Sequence, residues 1–138
     1  MTRDRSHLLS GELARLAGVS SDTLRHYERV GVLPQPPRTA SGYRRYPGSA
    51  VDRVRLIRRA LALGFSLEEL RRVLAVRDRG GAPCRKVREL AASKLESLDR
   101  RIADMQALRD QLRQLLAEWD DRLARTPHGE QAKLLESL

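Results

Sequence analysis

A chain of 138 residues suffices for one globular domain with an extension and falls short of two full domains. A single cysteine excludes an intramolecular disulfide framework, and no apolar run reaches the length of a membrane span. The start "MTRDRSHLL" lacks the apolar core of an export signal, so a reducing cytoplasm and no membrane partner are expected. The formal net charge of +9 is uneven: residues 1–64 carry 12 basic and 5 acidic side chains, net +7, against +2 for the remainder. A polyanion on the first half is expected from this, although an arginine-rich solvated surface gives the same figures, and nucleic acid demands a shape as well as a charge.

Ser10 precedes "GELARLAG", whose spacing predicts a two-turn helix with Leu13, Leu16 and Ala17 on one face and Gly18 as its stop. After a tight turn, "VSSDTLRHYERVGVLP" has its start and stop written in. Ser20 or Ser21 caps the first turn, Asp22 sits at the favourable end of the helix dipole, Gly31 ends the helix and Pro34 cannot continue it. Val19, Leu24 and Val30 are expected to face a core, and Thr23, Arg25, His26, Tyr27 and Arg29 to face outward. Two short helices joined by such a turn form a helix-turn-helix, whose second helix enters the major groove of DNA.

Next, "PQPPRTASGYRRYP" places a hairpin turn at Ser41-Gly42. The alternation of Tyr43, Arg44, Arg45 and Tyr46 predicts a short exposed ribbon, either a phosphate-gripping wing or half-buried packing residues. "SAVDRVRLIRRALALG" reads as a helix with Val51, Val54, Ile57 and Leu61 inward. In "FSLEELRRVL", Ser66 and Glu69 form a capping box, and Phe65 and Leu70 hold the hydrophobic-staple positions.

"RDRGGAP" is a break. From Pro83 to about Leu123 there is no Gly or Pro, and apolar residues recur at alternating three- and four-residue spacing. Ala91, Leu98, Met105, Leu112 and Trp119 form one row of the seam; Leu95, Ile102, Arg109, Leu116 and Leu123 form the other, broken only at Arg109. A helix of roughly 60 Å cannot bury such a stripe alone, so a homodimer through a coiled coil is expected, in parallel or antiparallel sense. The tail "RTPHGEQAKLLESL" predicts a break and then a short helix, Ala132 to Leu138, packed on the long one.

The segments "SGELARLAGVSSDTLRHYERVGVLP", "RTASGYRRYP" and "LIRRALALGFSLEELRRVL" resemble, in order and spacing, the mercury-resistance-regulator (MerR) family of bacterial transcription factors. The resemblance covers nearly the whole chain. It implies a mainly α fold: a winged helix-turn-helix DNA-binding domain over residues 1–80, then a dimerisation helix and effector-region tail over 81–138, paired as an antiparallel coiled coil. It also implies a homodimer that distorts the long spacer of a double-stranded promoter so that RNA polymerase engages both promoter elements. Carried over by position, Ser21, Thr23, Arg25 and Tyr27 lie on the recognition helix, with His26 where an aromatic residue is usual. Arg38, Tyr43, Arg44 and Arg45 lie on the wing. Leu98, Ile102, Met105, Leu112, Leu116 and Trp119 are the expected dimer contacts.

Metal-sensing members of that family place cysteines at the start of the dimer helix, at its end and in the following loop. Cys84 matches the first place, Trp119 occupies the second, and the third falls near Ala132. A metal ion held by His128 and the partner subunit's Cys84, with Asp120 or Asp121 as oxygen ligands, and a reactive thiol at Cys84 are the two effector chemistries that these residues allow, beside an inert cysteine. An architectural or excisionase-like DNA binder remains the alternative function, to be separated by where the protein sits on DNA. No nucleophile–base pair, paired carboxylates or phosphate loop suggests an enzyme.

Overall fold

A computed structural model of the chain describes residues 7–138. The element order is β1 (His7–Leu9), α1 (Ser10–Ala17), α2 (Ser21–Val30), β2 (Arg45–Pro47), α3 (Ala50–Ala62), α4 (Leu67–Asp78) and α5 (Cys84–Arg125), then a 3-10 turn over Leu135–Ser137. Two compact units meet within α5, at Lys94/Leu95.

In the first unit the expected caps are present. Gly18 and Gly31 end α1 and α2 in the left-handed conformation, at φ 71° and 90°, where a side chain would be strained. Ser20 Oγ accepts from Thr23 N at 3.1 Å, and Ser66 and Glu69 close a reciprocal capping box at the start of α4. After Gly31 the chain folds sharply back, with Val32 N and Leu33 N both donating to Tyr27 O, so Val32 and Leu33 plunge inward. The fully buried centre is Leu13, Leu24, Val32, Leu33, Tyr46, Val54 and Ile57. Removing each from water contributes about 2 kcal/mol.

Three expectations change here. Leu16 is 45% exposed, because Leu13, Ala14 and Ala17 take the whole inner face of a helix only two turns long. Tyr46 is buried at 1% exposure instead of lying on an open ribbon. The hairpin itself holds only one isolated bridge, Arg38 to Arg44; the strand partner of β2 is β1, antiparallel, with Leu8 opposite Tyr46 and Leu9 opposite Arg45. Burying the Leu8–Tyr46 pair on the core face fixes that register.

The second unit is the remainder of α5 and the tail. At 1.5 Å per residue the 42-residue helix is about 63 Å long, and it buries none of its own residues. The tail does not form the expected helix. Six or seven residues are too few to nucleate one, and Lys133 adopts a left-handed φ of 53°, leaving a single 3-10 turn. It does pack on α5, where the Trp119 indole N–H donates to Ser137 Oγ at 3.0 Å and an Arg122 Nη donates to Lys133 O at 3.1 Å.

Candidate nucleic-acid interface

The sequence of α2 divides its surface sharply. Leu24, Tyr27 and Glu28 are buried, whereas Asp22, Arg25, His26 and Arg29 are exposed, and Ser21 and Thr23 are half-buried at the first turn. Tyr27 therefore does not face outward. At 5% exposure it lies under the helix, and burial raises its hydroxyl pKa against the opposing effect of Arg58. Its aromatic neighbour His26 stands outside, with the ring centroids 6.4 Å apart. Arg25 is ion-paired with Asp22 one turn earlier, on the surface, where such pairs are worth little and yield readily to another anion. Thr23 Oγ1 lies 3.0 Å from Ser20 Oγ.

The wing spans residues 37–45. Gly42 N donates to Thr39 O at 2.9 Å and Thr39 N to Tyr43 O at 2.7 Å; Arg38 Nη1 braces the turn by donating to Gly42 O at 2.8 Å. Tyr43 projects at 66% exposure, and Arg45 is exposed. Arg44 turns inward, and its Nε donates to Glu28 Oε2 at 3.0 Å. Glu28 also accepts the Tyr46 hydroxyl, whose pKa burial and this contact push up to about 12. Tyr43, Arg44 and Arg15 line an open depression of 520 Å³ together with the start of α1.

Several arginines of the basic half serve the fold instead. Arg53 Nε donates to Val32 O, Arg55 to Leu16 O and Arg58 to Ala17 O, the last two capping carbonyls at the end of α1. Arg15, Arg25, Arg29, Arg38 and Arg45 remain exposed on the helix-turn-helix and the wing, as does the Tyr43 ring. Exposed guanidinium forks on these two elements suit phosphate and base edges of duplex DNA. Sequence reasoning missed Arg15 and Glu28. The first was readable as a basic residue on the outer stripe of α1; the second resembled any solvated acid on a basic helix.

Cys84 is exposed at the first residue of α5, and His128 is exposed in the tail. Among the described residues no three His, Cys, Asp or Glu side chains converge as a metal site within one chain.

Comparison with known proteins decides the family. Residues 9–76 match the family model for MerR HTH family regulatory proteins, and residues 51–115 match that for MerR, DNA binding. Over 105 residues the chain is 42% identical to the mercuric resistance operon regulatory protein of Bacillus cereus, covering 76% of this chain and 80% of that protein. The chain belongs to the MerR family. The HTH-type transcriptional regulator ZntR of Escherichia coli K12 is 35% identical over 130 residues, 93% of this chain and 89% of that one. Among solved structures, the transcription regulator PbrR691 from Ralstonia metallidurans CH34, in complex with lead(II), superposes with a TM-score of 0.77 at 30% identity, covering 95% of this chain and 99% of that one. As a MerR-family member the chain is a DNA-binding transcriptional regulator and not an enzyme, with the mainly helical winged helix-turn-helix and long C-terminal helix of that family. No helix among its described residues is long and apolar enough to cross a membrane.

Proposed function

We propose that this MerR-family regulator acts as a homodimer that binds a two-fold-related promoter site in double-stranded DNA and controls its use by RNA polymerase. In this reading residues 1–80 form the DNA-binding domain and 81–138 the dimerisation and effector part. The observation that carries it is the bare stripe of α5. Leu98, Ile102, Met105, Leu112 and Leu116 are each about half exposed or more in the single chain. An apolar seam of that length on a soluble helix needs a partner of matching length, and a second α5 supplies one. A two-fold dimer then presents two recognition helices and two wings, which demands an inverted repeat. Ser21, Thr23, Arg25 and His26 contact DNA from α2, and Arg38, Tyr43, Arg44 and Arg45 from the wing. Phosphate contacts dominate this set, which suits a protein that reads and changes the shape of a promoter spacer.

One relative is named a mercuric resistance operon regulatory protein, and one solved structure holds lead(II). The residues of this chain do not fit a soft-metal centre built from thiolates, which takes two or more sulfurs. Cys84 is its one cysteine, and Trp119 at the far end of α5 is occupied with Ser137. No step of the proposed action runs through a metal.

The test is a gel-shift and footprinting series on the promoter region of the neighbouring genes. A dimer protecting the spacer between the −35 and −10 elements, with affinity falling steeply as salt rises, is the expected result. Protection confined to a recombination site would favour the architectural reading. Arg25→Ala and Arg45→Ala are each expected to weaken binding about tenfold at constant salt, leaving the dimer intact.

A further inference from the structure

Among the described residues of the first unit, Glu28 is the one charged residue in the core, with its side chain 5% exposed. A carboxylate in such a place costs more than an apolar side chain of the same size unless its partners are well placed. Its partners are Arg44 Nε, at 3.0 Å, and the Tyr46 hydroxyl. Arg44 and Tyr46 are two apart on the returning side of the wing, so their side chains leave the same face of the extended chain; Arg45, between them, points to solvent. One buried group on the recognition helix therefore fastens the wing at two successive inward positions. The Arg44 guanidinium spends only its Nε on this bond. Its two Nη atoms make no hydrogen bond among the described residues, and its exposed portion lines the depression shared with Tyr43 and Arg15.

We infer that Glu28 is a positioning residue for DNA binding: from beneath the recognition helix it fixes the wing and aims Arg44, whose free Nη atoms then meet a DNA phosphate. Only a guanidinium serves both sides. Its fork offers donors in two directions, whereas an ammonium satisfies the buried carboxylate or the phosphate. The inference rests on the reading of Arg44 as a DNA contact, and it places the acid on the pathway between two DNA-binding elements without its touching DNA.

A double-mutant cycle on operator binding by the full-length protein tests it. Glu28→Gln keeps the side-chain shape and removes the charge that orients Arg44. It is expected to weaken binding about tenfold and to lower the slope of log affinity against log salt by roughly one phosphate contact. Arg44→Ala is expected to lose as much, and the double variant no more than either single one, because both remove the same contact. Arg44→Lys leaves the core carboxylate with a cation and protects the test against failure of Glu28→Gln to fold; it is expected to bind nearly as weakly as Arg44→Ala. Additive losses, an unchanged salt slope for a folded Glu28→Gln protein, or wild-type binding by Arg44→Lys would overturn the role of Glu28. Wild-type binding by Arg44→Ala would instead remove Arg44 from the DNA contacts, and the inference with it.

Discussion

Lys94 of α5 places its Nζ 2.7 Å from Glu69 Oε1, the same oxygen that accepts the backbone N–H of Ser66 at 2.8 Å. One carboxylate thus closes the capping box of α4 and holds the beginning of the long helix, while the Lys94 ammonium also lies 5.7 Å from the Phe65 ring centroid. These bonds lower the Glu69 pKa from 4.5 to about 2, Lys94 contributing most. A depressed folded-state value means that the stabilisation is fully present above about 4.5 and disappears as pH falls toward 2. Thermal melts between pH 2 and 7 should show Tm falling through that window, with a shallower fall in Glu69→Gln. Glu68 and Asp78, lowered by Arg71 and Arg53, act in the same direction and leave a residual slope. Identical pH profiles for wild type and Glu69→Gln would exclude Glu69 as a contributor.

Tyr27 and His26 are adjacent on the recognition helix and have opposite fates. Tyr27 is buried and makes no side-chain hydrogen bond among the described residues, so Tyr27→Phe should keep both Tm and operator affinity. Tyr27→Ala leaves a cavity between α2 and the core and should cost about 3 kcal/mol of stability. A Tyr27→Phe protein that is as stable as wild type yet binds DNA tenfold more weakly would restore the hydroxyl to the interface.

What the sequence reveals of this fold follows from how local each signal is. Ser20, Gly31 and the Ser66–Glu69 pair act within one helical turn, and each cap lies where its residue type requires. The burial of Tyr27 was equally legible: Leu24, Tyr27 and Glu28 share the i, i+3, i+4 spacing of a single inward stripe, and the polarity of the neighbouring residues obscured it. The pairing of β1 with β2 was not legible, because three-residue strands far apart in sequence carry no periodicity of their own. The same holds for Glu28 with Arg44 and Tyr46, since a buried ion pair is a match between distant residues and leaves no local pattern.

The seam of α5 should decide oligomeric state. Leu112 is 51% exposed in the single chain, in the middle of the stripe. Leu112→Glu would place an unpaired carboxylate against the partner helix, a desolvation penalty of several kcal/mol. Light scattering is expected to give a dimer for wild type and a monomer for this variant, with operator binding lost alongside. Leu112→Met conserves the volume and should remain dimeric. A stable dimer of the Leu112→Glu protein would place the interface elsewhere on the chain.

Cys84 offers the sharpest test of the effector region, because it is the one thiol in the chain and lies exposed at the first residue of α5. It belongs neither to the recognition helix nor to the wing, so Cys84→Ser should bind the operator as wild type does. A single thiolate per chain also holds mercuric ion weakly against a competing small thiol, since exchange trades one sulfur for another. Protein loaded with one equivalent and passed through gel filtration in excess thiol is therefore expected to emerge without metal. Retention of mercury by wild type, and its loss in both Cys84→Ser and His128→Ala, would show instead that the dimer completes a mixed sulfur–nitrogen site from two chains. Retention that only Cys84→Ser abolishes would show that Cys84 holds the metal without His128. In either case the objection from sulfur count would fall, and the metal would return as the candidate effector.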